Sequence, residues 1–573
     1  MLIGHMARAL REEEAGQAVV VGALSMLILA LAVLATAQLG RGIERRVQLQ
    51  AAADDAAYSV AAAAARSLNF AAWANRTVVA HYVSMIALQS LSSYLTGLQT
   101  LMWRAGDLLQ TISALACAGV AICPGCGLGA LSRAADAAGR ALHELVDSTW
   151  SAVDELDSLA ARGVEGLGAL NLALSKAAED LRRDTERVLA DESPQSLAMS
   201  VVRAAVPEAN AGSSHPYLPA MAELNGAAYR RLFDQGALAI PPGGTALRGE
   251  SEREDDKVQN AERLMAEITN ASRTGRASQA GGVRFESHRR LGGHTALAGP
   301  AAAAVGLSLA GTSRLVSGMS PRRFTEGAVP RGDPGDRQRL NDLFEGGRYA
   351  TQFSRGAALA SAEHVSAIGP DAAGRSSGIV GIQAWPRASD PMRSFHCRLP
   401  DDPSQRHRLI PLAPGCPKVA LTTPPVCVNE GGRHRFGGLS PYLSFALSED
   451  SAESFGQPDF YALAHLAPKE ARLAGVDALG FGGGSPFVWR LGRTASLDGV
   501  GEPGLKGPMP GLHAWARSQV YYHRPGHWTE PPNLFNPFWK ARLAPVERRV
   551  ELLLARAHLS PAHARLVRAA TVH

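Results

Sequence analysis

The sequence predicts an α+β protein in which an N-terminal transmembrane helix continues into a long helical hairpin or bundle, followed by a loop-rich antiparallel β domain and a C-terminal helix. An apolar run fills Ala18–Leu39, no proline precedes Pro124, and from about Arg348 short apolar segments alternate with Pro and Gly. The expected layout is a short cytoplasmic N-terminus (1–16), a pilin-like membrane anchor (17–40), an extracytoplasmic helical region (41–235), a flexible linker (236–345), a β-rich domain (346–545) and a terminal helix (546–573).

The anchor rests on length and polarity. No side chain from Ala15 to Gly40 ionises, and about 20 apolar residues, each rising about 1.5 Å, cover the roughly 30 Å hydrocarbon core of a bilayer. Arg8, Arg11 and Glu12 to Glu14 bracket the run on one side, and Arg41, Glu44, Arg45 and Arg46 on the other. Ala18, Leu24, Leu27, Leu29, Leu31, Leu34 and Leu39 are the candidate lipid-facing residues. Ala35-Thr36-Ala37 offers the competing reading of signal-peptide cleavage, but the run exceeds the roughly 7–15 apolar residues of a signal peptide. Arginines near the two ends almost balance, with a slight excess on the C-terminal flank. The cysteines described below tip the orientation toward an extracytoplasmic bulk.

Beyond the anchor little interrupts a helix: from Ile43 to Arg104 the only glycine is Gly97. The stretch AAADDAAYSVAAAAA, beginning at Ala51, suits the close approach of a second helix. Leu88, Leu91, Leu95, Leu98 and Met102 form a short seam with spacings of three and four. After the turn CAGVAICPGCGLG, residues 129–190 again read as helix, with Leu142, Leu145, Val146, Val153, Leu156 and Leu159 at helical spacing. An antiparallel hairpin is the first expectation. An intermolecular bundle is the alternative, because periodicity identifies a sticky face and not its owner.

Charge and composition exclude some classes. Hydrophobic residues make up 46% of the chain but aromatics only 6%, so much of the apolar content is Ala, Leu and Val, a helix-favouring mixture. A net charge of +5 over 573 residues, with no basic stripe interleaved with aromatics, gives no footprint for nucleic acid. Gly, Ser, Arg and Pro accumulate between about 241 and 339, which reads as linker, with local apolar patterns that admit short helices or strands. Farther on, SGIVGIQAW, KVALTTPPVCV, FYALAHL and ARSQVYYH read as short antiparallel strands, one ending near Tyr521 and Tyr522. Trp489, Trp515, Trp528 and Trp539 read as core anchors.

Six cysteines fall into two groups of three: Cys117, Cys123 and Cys126 in the helical turn, and Cys397, Cys416 and Cys427 in the β region. An even total behind an export segment points to disulfides, which persist in oxidising compartments. Each group being odd, either one bond joins the groups or two thiols stay free. The C-x-x-C at Cys123 and Cys126 is half a zinc site and lacks a thioredoxin-like setting, so it reads as a structural bridge. Pro525 and Gly526 break the helical geometry that His523 and His527 would need to share a metal, and His396 lacks a third group to orient it toward Cys397. No H-E-x-x-H, G-x-S-x-G or phosphate-loop motif occurs, so neither catalytic residues nor cofactors are expected. Asn75 and Asn270 head glycosylation sequons.

The Gly16-Gln17 pair, the apolar helix and the continuation RRVQLQAAADDAAYSVAAAAARSLNFAAWANRTVVAH resemble the Flp (Tad) pilus-assembly TadE/TadG-like family over roughly the first hundred residues. The segment AWARSQVYYHRPGHWTEPPNLFNPFWKARLAPV, from Ala514 to Val546, is similar to what larger relatives of that group carry. The resemblance implies a pseudopilin-like structural or assembly component, not an enzyme, in the bacterial inner membrane, with lipid, pilus or secretion-system subunits and further copies of itself as partners. It also implies two departures. Val21 stands where a processed pilin would carry a glutamate, and Asp147, Thr149 and Ser151, the nearest approach to an integrin-like metal motif, fall inside a helical stretch. A membrane-bound extracytoplasmic sensor and an exported hydrolase or metalloenzyme are the alternatives.

Overall fold

A computed structural model describes residues 14–120, 122, 124–125, 127–210, 217–233 and 263–273, the strands named below, and the short stretches 414–417, 439–443, 457–458, 523–526, 530, 532–538 and 545. Five helices occur among them: α1 (Glu14–Val120), α2 (Leu128–Leu189), α3 (Leu197–Ala205), α4 (Tyr217–Arg231) and α5 (263–272). The chain divides into two compact units, one of residues 1–71, 180–235 and 445–573, the other of residues 72–179 and 236–444. Helix α1 is continuous for 107 residues, as an Ala- and Leu-rich sequence without proline allows. It stops at Val120, and Gly127 restarts the chain in the left-handed region at φ 71°, which costs glycine little. The Gly127 carbonyl then accepts from Ala130 and Leu131 at the start of α2. Ser196 caps α3 by accepting from the Met199 amide.

In the first unit the alanine face of α1 finds a sheet where the sequence reading expected a helix. Strands β9 (Asp459–Leu466), β10 (Leu512–Tyr522) and β11 (Trp539–Ala544) form an antiparallel sheet in the order β11-β10-β9. Leu49, Ala52, Ala53, Ala56 and Ala57 pack against Ala462, Ala464, Ala514 and Ala516, with Val202 and Val206 of α3 beside them. Small side chains on both surfaces bring the backbones so close that the Ser518 hydroxyl donates to the Ala57 carbonyl at 2.6 Å and Gln50 to the Trp515 carbonyl at 2.9 Å. Trp515 and Trp539 are buried, as expected of core anchors. Trp489 and Trp528 lie outside the described residues, as does the terminal helix expected over 546–573.

Both edges of this sheet are closed by asparagine. Asn225 of α4 accepts from the Tyr461 amide and donates to its carbonyl, both at 2.9 Å. Asn210, in the left-handed conformation that Asn tolerates, accepts from His465 N and donates to Leu463 O. At the opposite edge Asn69 of α1 makes the same paired contact with Trp539, again at 2.9 Å in each direction. A carboxamide presents a donor and an acceptor side by side, as a neighbouring strand would, so the ladder groups at Tyr461, Leu463, His465 and Trp539 are satisfied without a further strand.

In the second unit α1 and α2 form an antiparallel hairpin, the expected internal pairing. The polar contacts step along it in strict order: Ser113 with Ser132, Asp107 with His143, Gln99 with Thr149, Ser92 with Asp157 and His81 with Asn171. Gly106 and Gly139 mark the closest approach. A Cβ on Gly139 would lie 2.9 Å from the Gly106 carbonyl, and one on Gly106 would lie 2.5 Å from the His143 ring. The seam read from leucines is therefore offset. Leu88, Leu91, Leu95, Leu98 and Met102 are half-buried, while the fully buried positions beside them are Gln89, Ser92, Thr96, Gln99 and Trp103. Leu145, Leu156 and Leu159 of α2 are exposed, and of their neighbours Val146 is fully buried.

The same unit holds six antiparallel strands in the order β1-β2-β3-β4-β5-β8: β1 (His288–Leu291), β2 (Leu307–Val316), β3 (Ala358–Ala367), β4 (Ser377–Trp385), β5 (Arg393–Arg398) and β8 (Val426–Gly431). Between the last two, β6 (His407–Pro411) and β7 (Lys418–Thr422) make a separate hairpin. Strands β1 and β2 and helix α5 fall in the stretch read as linker. The region read as one β domain contributes to three sheets, divided between the two units. Beyond the end of β1, where β2 has lost that neighbour, Asn270 of α5 accepts from Leu315 N at 3.0 Å and donates to its carbonyl at 2.8 Å.

Among the described residues no helix is long and apolar enough to cross a membrane. Within the apolar run of α1 the continuously described side chains are those of Val19 to Leu34, sixteen residues against the about 20 that a bilayer requires. The side chains of Ala18 and Leu39 lie outside the described set.

Replacing Asn225 with alanine orphans the Tyr461 amide and carbonyl at a buried edge, and each such group costs about 1–3 kcal/mol. The Asn225→Ala protein is expected to unfold in denaturant with about 2 kcal/mol or more less stability. An unchanged midpoint would refute the edge-closing role.

Candidate functional site

Three surface features stand out among the described residues: an apolar helix start, a leucine stripe and a carboxylate-centred turn. Among the described residues no three His, Cys, Asp or Glu side chains gather in a way that could hold a metal ion. His523 is described only from its own side of the turn, where its amide donates to the Phe538 carbonyl, and His527 lies outside the described residues. His396 sits on β5. Asp147, Thr149 and Ser151 are in α2, where the Thr149 hydroxyl donates to the Leu145 carbonyl at 2.9 Å. The sequon asparagines are occupied as well: Asn75 is buried and donates to the Leu443 carbonyl at 2.7 Å, and both ends of the Asn270 amide are used on Leu315.

The first feature is the start of α1. Leu24, Leu27, Leu29, Leu31 and Leu34, expected to face lipid, are all exposed, as are Val19, Val21 and Ile28 around the same turns. At 100° per residue these positions surround the helix, so it is apolar all round. The pattern ends within two turns. Glu44, Arg45 and Arg46 follow, and from Leu49 onward fully buried residues recur on one face.

The second feature is a stripe on α2. Leu131, Leu145, Leu156, Leu159 and Leu170 are each about half exposed. At 100° per residue all five fall within about 80° of arc, on the flank of the face that pairs with α1.

The third is the connection from β10 to β11. It is organised around Glu530, whose side chain is 18% exposed. One carboxylate oxygen accepts from the Tyr522 hydroxyl at 2.6 Å, the Asn536 amide at 2.7 Å and the Asn533 amide at 2.8 Å, and the other accepts from Arg524 at 2.6 Å. Asn533 also accepts from the amides of Phe535 and Asn536, a turn that Asn favours, and its carbonyl accepts from the Trp539 indole. Burial pushes the Glu530 carboxyl up, but the four hydrogen bonds together prevail and hold it down at about 2. Burial first, then the bond to Glu530, pushes the Tyr522 phenol up to about 12. The Glu530 carboxylate thus ties together residues from both sides of the connection. Nothing in the sequence singles out Glu530, because its four partners gather from both sides of the turn.

Of the cysteines, Cys117 and Cys416 form a disulfide across a sequence separation of 299, so one bond does join the two groups. Closing so long a loop stabilises by up to about 5 kcal/mol in the chain-entropy account. Cys397 and Cys427 lie on β5 and β8, and Cys123 and Cys126 lie outside the described residues.

Because Glu530 binds its proton more weakly folded than unfolded, its stabilisation is present above the ordinary carboxylate value of about 4.3 and is lost as pH falls through about 2. Glu530→Gln is expected to melt at a lower temperature than the parent at pH 7, with the gap narrowing steadily as pH falls from about 5 to about 2. Melting curves that stay parallel over that range would show the carboxylate is not the hub.

No known family model, curated protein or solved structure matches this chain.

Proposed function

We propose that the chain is a membrane-anchored structural or assembly component of a Tad/Flp-type pilus or a related secretion system. The first part of α1 is held in the bacterial inner membrane, and the bulk of the chain is extracytoplasmic. The observation that carries this reading is the change of surface along α1: apolar on every side from Val19 to Leu34, then buried on one face only from Leu49. An all-round apolar surface is unfavourable in water and is at home in hydrocarbon. In sequence the run continues to Leu39, which brings it to spanning length.

Two further observations support the reading. The Cys117–Cys416 disulfide is a bond that persists in an oxidising compartment. The leucine stripe of α2 offers a helical partner, whether a pilus or secretion-system subunit or another copy, an apolar face at helical spacing. The mechanism is interaction: lipid retains the anchor, and exposed apolar faces recruit partners.

Leu29→Arg places a charge mid-anchor at a cost of about 2.5–3.5 kcal/mol on insertion scales. The variant is expected to lose membrane retention and complex formation together, with Leu29→Ala keeping both. Full retention of the arginine variant in washed membranes would sink the proposal.

A further inference from the structure

We propose that Cys397 and Cys427 form a second disulfide, which staples the edge strand β8 to β5. The two residues are direct register partners in the antiparallel β5–β8 pair. Opposed residues in such a pair have Cα atoms about 4.5 Å apart at non-hydrogen-bonded positions and about 5.5 Å apart at hydrogen-bonded ones. Both separations lie within the roughly 4.4–6.8 Å over which disulfides close. The pairing is therefore compatible with a bond whichever kind of position it occupies, and directly opposed positions share one face of the sheet. The third cysteine of the group, Cys416, is already bonded to Cys117.

The topology shows what the bond would secure. Among the described strands β8 lies at the edge with β5 as its sole sheet neighbour, and the chain between them leaves the sheet to make the β6–β7 hairpin. Cys416 sits in the turn of that hairpin, tied to the end of α1. One disulfide holds the hairpin at its tip, and the other closes its base. Formation is a thiol–disulfide exchange with a small disulfide oxidant. The two thiols give up two protons and two electrons as their S–S bond forms, and the oxidant's S–S bond breaks to leave two thiols.

The test uses the full chain, purified in detergent, equilibrated with oxidised glutathione, alkylated without reduction and digested with trypsin. Cleavage puts Cys397 in Ser394–Arg398 and Cys427 in Val419–Arg433, separate from Cys416 in Leu409–Lys418 and from the helical-region cysteines in Ala105–Arg133. The first two peptides are expected to appear as one linked species that separates on reduction. Cys427→Ser should make Cys397 fully alkylatable, whereas Cys117→Ser should leave the linked species in place. Alkylation of both thiols in the unreduced chain, or linkage of either to Cys123 or Cys126, overturns the proposal.

Discussion

The paired hydrogen bond between a helical asparagine and the backbone of a strand edge is the contact on which each unit depends. A sheet edge is a row of unpaired amides and carbonyls that must find partners or recruit another strand. Here Asn69 and Asn225 each supply a donor and an acceptor to one strand residue, Asn210 divides the same pair between Leu463 and His465, and Asn270 repeats the device on Leu315 in the other unit. Asn69, Asn225 and Asn270 each fix a helix at a single residue of register along its strand. Apolar packing alone would leave alanine surfaces such as Ala53 against Ala516 free to slide, since small side chains interlock weakly.

The hairpin of α1 and α2 follows the same logic with different side chains. Its buried interface carries Ser113, Asp107, Gln99, Ser92 and His81, each matched to a polar partner on α2. Shifting the helices by one turn would separate every pair at once and leave buried polar groups without their bonds, a penalty that accumulates along the interface. Polar specificity at the interface leaves the leucines on its flank. That distribution is why α2 keeps an exposed apolar stripe on the flank of its paired face.

The apolar start of α1, the stripe and the Glu530 turn differ in kind. The start of α1 is exposed on every side from Val19 to Leu34. The stripe is a remainder, the part of an amphipathic face that the hairpin does not cover. The loop between β10 and β11 is self-sufficient, its carboxylate saturated by Tyr522, Arg524, Asn533 and Asn536.

The sequence by itself determined the long helices, the turn between them, the strand-rich second half and the all-round apolar start, because each depends on local propensity or on a period that neighbouring residues display, whereas the pairing of α1 with α2 rather than with another chain was decided by tertiary structure. It marked the cysteines as candidates for bonding, but spacing cannot choose among partners; the joining of Cys117 to Cys416 was decided by tertiary proximity across 299 positions. The sheet beneath the alanine face, the division of the strands among three sheets and the asparagine contacts were likewise decided only by tertiary structure. An alanine surface accepts a helix or a sheet equally well, and the choice rests on pairings between residues hundreds of positions apart, such as Asn69 with Trp539, that leave no periodic trace in the chain.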